Sequence, residues 1–215
     1  MQLDRAETLR YLGYGTHAPD ERTDALIAEC AKELEALPTV RHVERSFSDL
    51  VWSPEGVSVG GASFASRRLA ETLSGCGQAV VLCATLGAAA DRLRMRYIRT
   101  DLTKAAVMDA AQSAYIEQVC DAVCADLRQR YAPQGLSPTP RFSPGYGDFA
   151  LSEQPMLLAL ANAPRRIGLT CSETFLLTPQ KSVTAIIGLT RGTPTCGGER
   201  CAVCEHRELC RFRRT

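Results

Sequence analysis

The chain has 215 residues, of which 45% are hydrophobic and 23% charged, an ordinary soluble globular composition long enough for one sizeable core in one or two domains. A formal net charge of +1 excludes a global cationic field of the kind that gathers nucleic acid, and no apolar run approaches the roughly 18 residues that span a bilayer. The start, Met1-Gln2-Leu3-Asp4-Arg5, lacks the basic-then-apolar pattern of a secretory signal, so a cytoplasmic protein is expected.

Residues 4–12 read as a short helix stopped by Gly13 and Gly15. A longer helix follows Pro19-Asp20-Glu21, with a predicted buried stripe of Ala25, Leu26, Cys30, Ala31 and Leu34. Residues 39–50 and 51–59 carry β-branched residues around a Ser53-Pro54-Glu55-Gly56 turn and read as a hairpin, with residues 62–73 helical after it. The continuous apolar run 79–84 predicts a buried strand that leads through Thr85-Leu86-Gly87 into a helix over 88–97. A long helix over 101–131, a Pro/Gly-rich connection over 133–140, a short helix over 152–162 and strands near 166–177 and 181–189 complete the order. Helices and strands mix without regular βαβ alternation, which predicts an α+β fold: a twisted, largely antiparallel sheet with flanking helices. The division expected is a globular domain over 1–191 and a cysteine-rich tail over 192–215.

Three stretches carry chemistry. The octet Arg141-Phe142-Ser143-Pro144-Gly145-Tyr146-Gly147-Asp148 packs a guanidinium, a rigid proline, two glycines and an aromatic ring into one loop. Such a loop exposes main-chain N–H and C=O groups to a close ligand, and its plainer reading is a tight turn. Arg141 supplies a planar fork suited to a carboxylate or phosphate. On the long helix, Ala106, Ala110, Ser113, Glu117, Cys120 and Cys124 share one side, and everything there except Glu117 is small. A carboxylate in that setting needs a cationic or hydrogen-bonding partner.

The third stretch is the tail, Cys196-x4-Cys201-x2-Cys204-x5-Cys210, four thiols with almost no apolar content around them and five arginines against three glutamates. Ten cysteines in a reducing compartment do not make a disulfide framework, so the clustered four point to metal. A [4Fe–4S] cluster and a tetrahedral zinc both suit four thiolates, free or redox-active thiols being the third option. The remaining cysteines read as small buried hydrophobes, and no Ser/His/Asp triad, P-loop or dinucleotide glycine motif is present.

The octet resembles the Arg-Pro-x-Pro-Gly-Tyr signature of the activation domain of cobalamin-dependent methionine synthase, and still more the stand-alone proteins of that superfamily, which carry R-x-S-P-G-Y-G-D. Ala84-Thr85-Leu86-Gly87, the helix segment around Asp109-Ala110 and Glu117, and Lys181-Ser182-Val183-Thr184-Ala185-Ile186-Ile187-Gly188 fit the same pattern in the same order, over about residues 1–191. The resemblance implies an S-adenosylmethionine site in which Glu117 meets the methionyl amino group and Arg141 the carboxylate. Ser143, Gly145 and Tyr146 would hold the adenosine and sulfonium side. Ser143 departs from the small apolar residue of the methionine synthase form, a change that a backbone contact tolerates. The implied role is reductive reactivation, the remethylation of cob(II)alamin, of a cobalamin-dependent methionine synthase or related corrinoid methyltransferase that carries the cobalamin. The rival is a non-catalytic adenosylmethionine sensor or docking module with a zinc knuckle. An iron–sulfur tail would relay the electron.

Overall fold

The computed structural model describes residues 1–15, 17–38 and 40–192. The tail cysteines Cys196, Cys201, Cys204 and Cys210 lie outside the described residues.

Its centre is a four-stranded sheet in the order β1 (Arg41–Phe47), β5 (Cys76–Thr85), β9 (Ser182–Arg191), β6 (Leu136–Pro138), every neighbouring pair antiparallel. β5 and β9 occupy the middle and are buried on two faces along most of their length, which is why β5 contains the unbroken apolar run 79–84. Val80, Leu82 and Ala84 of β5 and Ile187 and Leu189 of β9 pack on one side, while Ala79, Val81, Cys83 and Ile186 pack on the other.

The first side is covered by α5 (Leu102–Tyr131), a 30-residue helix about 45 Å long. Against its outer flank pack α1 (Arg5–Leu12), α2 (Glu21–Glu35) and α4 (Ala88–Thr100). Sandwiched between sheet and helices, α5 buries Val107, Met108, Ala111, Ala114, Ile116, Val119, Val123 and Leu127. The caps follow the predicted chemistry. Asp4 accepts from the Glu7 amide, Asp20 from Thr23 and Asp101 from Lys104, each satisfying an orphan N–H of a first turn. On α2 the buried stripe is Ile27, Cys30 and Leu34, flanked by half-buried Leu26 and Ala31; Ala25, expected in it, is exposed.

The second side is covered by a meander of β2 (Val51–Ser53), β3 (Gly56–Val59) and β4 (Ala62–Phe64), with α3 (Arg67–Thr72), α6 (Gln154–Ala161) and α7 (Ala163–Ile167). Two expectations are corrected here. The segment before Leu50 does not pair with 51–59: β1 crosses to β5, Arg41 opposite Thr85 and Phe47 opposite Ala79, while β2 and β3 alone close around the predicted turn. Residues 62–64 are strand rather than helix. Gly60 and Gly61, both at positive φ (60° and 78°), form a two-residue turn that pairs Val59 with Ala62, and the helix waits for the Ser66 cap.

The strand expected near 166–177 is also different. α7 runs to Ile167 and ends on Gly168 at φ 69°, after which only the two-residue strands β7 (Thr170–Cys171) and β8 (Leu177–Thr178) form. The helix expected over 152–162 is present as α6, led in by a turn of 3₁₀ helix over Leu151–Glu153. No helix among the described residues is long and apolar enough to cross a membrane.

Candidate functional site

β9 gathers the sequence motifs. Phe142 bonds it on both sides, its amide to Ile186 O at 2.9 Å and its carbonyl accepting from Ile186 N at 2.8 Å. That bridge turns the Phe142 ring towards Phe149, a stacked pair with centroids 6.0 Å apart, and by alternation sends Arg141 to the opposite side, where α5 lies. At the start of β9, Lys181 O accepts from the Leu86 amide and Ser182 Oγ donates to Thr85 Oγ1 at 2.8 Å, so the Thr85-Leu86-Gly87 turn is tied to the Lys181-Ser182 pair. Gly87 stands at φ 81°, open to glycine, where the strand turns into α4.

Arg141 is the focus. Its side chain is only 12% exposed, yet it meets two carboxylates: Nη2 lies 2.7 Å from Glu117 Oε2 and Nη1 lies 2.7 Å from Asp121 Oδ1. Nη1 also reaches Cys124 Sγ at 3.7 Å. Burial opposes the positive charge, but the surrounding Cys120, Glu117, Asp121 and Cys124 outweigh it and hold the guanidinium above its ordinary pKa. Cys120 itself is buried, which pushes its thiol up to about 12, so at neutral pH the two carboxylates are the counter-charge. Tyr11 of α1 borders the same cluster: burial first, then the Glu117 charge, raises its phenol pKa.

One helical turn away, Lys181 Nζ lies 2.9 Å from Asp109 Oδ1 and donates to Ser113 Oγ at 2.8 Å. Positions 109, 113, 117 and 121 therefore form a single row at i, i+4 spacing along α5, bridged by Lys181 from the start of β9 and by Arg141 from beside its middle. The alternating four-and-three spacing found Ser113, Glu117, Cys120 and Cys124 but passed over Asp121. The signal was there, one turn beyond Glu117 on the same side.

The loop 143–149 is built by its own turns. The Gly145 amide donates to Phe149 O at 2.7 Å and the Phe149 amide to Tyr146 O at 3.0 Å. Gly145 stands at φ 94° with Leu151 Cδ2 3.2 Å from where a Cβ would be, so a side chain there is both strained and crowded. Pro144 is buried, Ser143 half-buried, and Tyr146 is 68% exposed, its ring offered to the outside. Asp148 is structural: it accepts from Ser66 Oγ at 2.5 Å and from the amides of Arg67 and Arg68, closing the start of α3.

Asp148 also makes a pH prediction. Burial is the largest single influence and raises its pKa, but the bonds from Ser66, Arg67 and Arg68 together outweigh it and hold the carboxyl below 3.8. Its contribution to stability is therefore complete above that value and lost as pH falls through the depressed folded pKa. Thermal melts from pH 7 to pH 3 are expected to show a smaller acid-induced drop for Asp148→Asn than for the wild-type chain; parallel curves would contradict the assignment.

Of the residues expected to bind ligand, Glu117 and Arg141 meet on the α5 side, Ser143 is half-buried at the foot of the loop with its carbonyl accepting from the Tyr146 amide, and Gly145 and Tyr146 form the exposed part of the loop. Among the described residues no group of three or more His, Cys, Asp or Glu side chains is arranged to hold a metal.

An antiparallel sheet curled around one long helix with flanking helices is a fold also seen in the methionine synthase reactivation domain. Among solved structures the chain is similar to the crystal structure of the MetH reactivation domain bound to AdoHcy, with a TM-score of 0.62 over 92% of this chain and 79% of that chain, at 13% identity. The likeness is one of fold. No protein-family model matches the chain, and no curated protein matches it by sequence.

Proposed function

We propose that this protein binds S-adenosylmethionine on the face formed by α5 and the 141–149 loop. Its role is the reductive reactivation of a cobalamin-dependent methionine synthase or related corrinoid methyltransferase. The observation that carries the reading is the Arg141 guanidinium held between Glu117 and Asp121 at the foot of a loop whose Tyr146 is exposed. A zwitterionic amino acid asks for one cation, one anion and a shaped slot, and Arg141, Glu117 and the loop backbone supply them. The fold supports it: the solved neighbour is described as bound to AdoHcy.

The residues present fit such a ligand. Asp121 is 57% exposed, so water already solvates its carboxylate and a substrate carboxylate can take its place on the half of the guanidinium that it holds. Glu117, 29% exposed and bonded to the same guanidinium, then offers its carboxylate to an ammonium group. When bound, S-adenosylmethionine supplies the methyl group, its S–CH₃ bond breaking with the electron pair left on sulfur, while an external one-electron donor supplies the reduction. The chain contributes position and orientation. In this reading the tail thiols Cys196, Cys201, Cys204 and Cys210 hold an iron–sulfur cluster, zinc being the alternative; their spacing is the support, and iron and sulfide content of anaerobically purified protein decides it.

Calorimetric titration with S-adenosylmethionine, followed by remethylation of a cobalamin-dependent methionine synthase deprived of its own activation domain, tests the function. Saturable binding and methylcobalamin formed in trans, read from the cobalamin absorbance, are expected. Binding without methylcobalamin would leave a sensor or docking module; no binding by the folded chain would sink the proposal.

A further inference from the structure

The corner where α4 meets α5 has a surface that the fold does not explain. Met95 and Ile98, one turn apart on α4, are 43% and 38% exposed, and Leu102, the first residue of α5, is 73% exposed. α4 turns Ala90, Leu93 and Tyr97 into the core, so these three side chains are surplus to packing. Around them α4 carries Arg92, Arg94, Arg96 and Arg99 against Asp91, and Asp101 caps its end, a local net charge of +2 over residues 88–101 in a chain of net +1. Arg94 is engaged by Gln180 and Asp109, and Arg96 by Glu33. Arg92 and Arg99 are exposed, and no carboxylate among the described residues pairs with them. Leu102 also lies on the side of α5 that leads through exposed Ala106 to Ser113 and Glu117, about 22 Å from the ligand face.

We infer that this corner is a docking surface for the corrinoid-bearing protein, and that the surface it meets is apolar at its centre and acidic at its rim. The inference rests on the function proposed above. The charge argues for an acidic partner: two unpaired guanidinium groups flank an apolar centre, the arrangement in which the centre holds the complex and the rim steers it. Proximity argues for the same partner, since an interface of standard size, roughly 800 Å² a side, is wide enough to reach from the corner to the Glu117–Arg141 face. An anionic membrane is the other surface a basic, partly apolar helix can meet. It is disfavoured because the exposed stripe is narrow, the rest of α4 being committed to the core.

The test uses the full chain, titrated into cobalamin-dependent methionine synthase lacking its activation domain. The variants are Arg92→Glu/Arg99→Glu and Met95→Gln/Leu102→Gln, all at exposed positions remote from the ligand residues. Each pair is expected to weaken the complex at least about tenfold while S-adenosylmethionine affinity and thermal midpoint stay unchanged. The arginine pair should also flatten the salt dependence of association. Unchanged complex affinity in both pairs overturns the inference and leaves the proposed function standing. Wild-type chain that binds S-adenosylmethionine but forms no complex overturns it as well, whereas failure to bind S-adenosylmethionine is a failure of the functional reading. Binding to phosphatidylserine vesicles that the variants abolish, with the protein complex intact, assigns the corner to membrane instead.

Discussion

Replacing Arg141 with alanine is expected to raise the dissociation constant for S-adenosylmethionine about 100-fold or more, equivalent to about 2.7 kcal/mol. The loss exceeds that of a surface cation because the guanidinium is 12% exposed and set by two carboxylates before any ligand carboxylate reaches it. Its removal leaves Glu117 and Asp121 facing each other one turn apart with no counter-charge. Fully buried pairs broken on one side cost about 3–5 kcal/mol. Here Glu117 is 29% and Asp121 57% exposed, so water screens both, and a stability loss of about 1–2 kcal/mol is expected by urea denaturation. Two companions separate binding from folding. Arg141→Lys keeps the charge but loses the fork, and should recover stability better than affinity. Asp121→Ala removes the competing carboxylate, so binding should be equal or tighter and stability nearly unchanged. If Arg141→Ala binds as wild type does, the α5 face is not the ligand site, whatever the fold suggests.

Phe149→Ala is expected to be the most destabilising change in the loop, at about 3–4 kcal/mol and roughly 10 °C in thermal midpoint for a chain of this size. Phe149 is 1% exposed, meets Phe64 edge to face at 5.7 Å and stacks on Phe142 at 6.0 Å. It is the joint between the second core and the arch, since its carbonyl accepts from Gly145 and its amide donates to Tyr146. With the ring gone, the loop keeps its backbone bonds but loses the apolar anchor that sets Phe142 against β9. Affinity for S-adenosylmethionine should therefore fall several-fold alongside stability. Phe149→Leu should restore most of the stability, and a loss below about 1 kcal/mol for the alanine variant would show that the arch is held by its turns alone.

Much of the secondary structure was legible because its causes are local. Asp4, Asp20 and Asp101 mark helix starts by bonding amides three residues on, and Gly13 marks an end by taking φ 84°. The run 79–84 announced a central strand because burial on both faces favours apolar side chains at every position, whereas 181–189 mixes Lys181, Ser182 and Thr184 with its apolar residues. The differences at 39–50 and 62–64 have separate origins. A strand declares its pleat but not its partner, and β1 finds β5 some 40 residues away instead of the neighbouring β2, an alignment decided by which pairing buries Val43 against the sheet's second core. Gly60-Gly61 was the overlooked local sign, a turn where a helix start was read.

The same division holds at the candidate site. Residue types and helical spacing in the sequence determined that Glu117 sits among small neighbours on one side of α5, and that Arg141 heads a loop of fixed and permissive backbone angles. Only the tertiary structure decided that the guanidinium ends between Glu117 and Asp121, 24 and 20 residues back along the chain, and that Lys181 repeats the bridge one turn earlier. The reason is geometric. The Phe142–Ile186 bridge and the position of α5 on the sheet set which side chains meet, and both are properties of strand pairing and helix packing that no local stretch of sequence encodes.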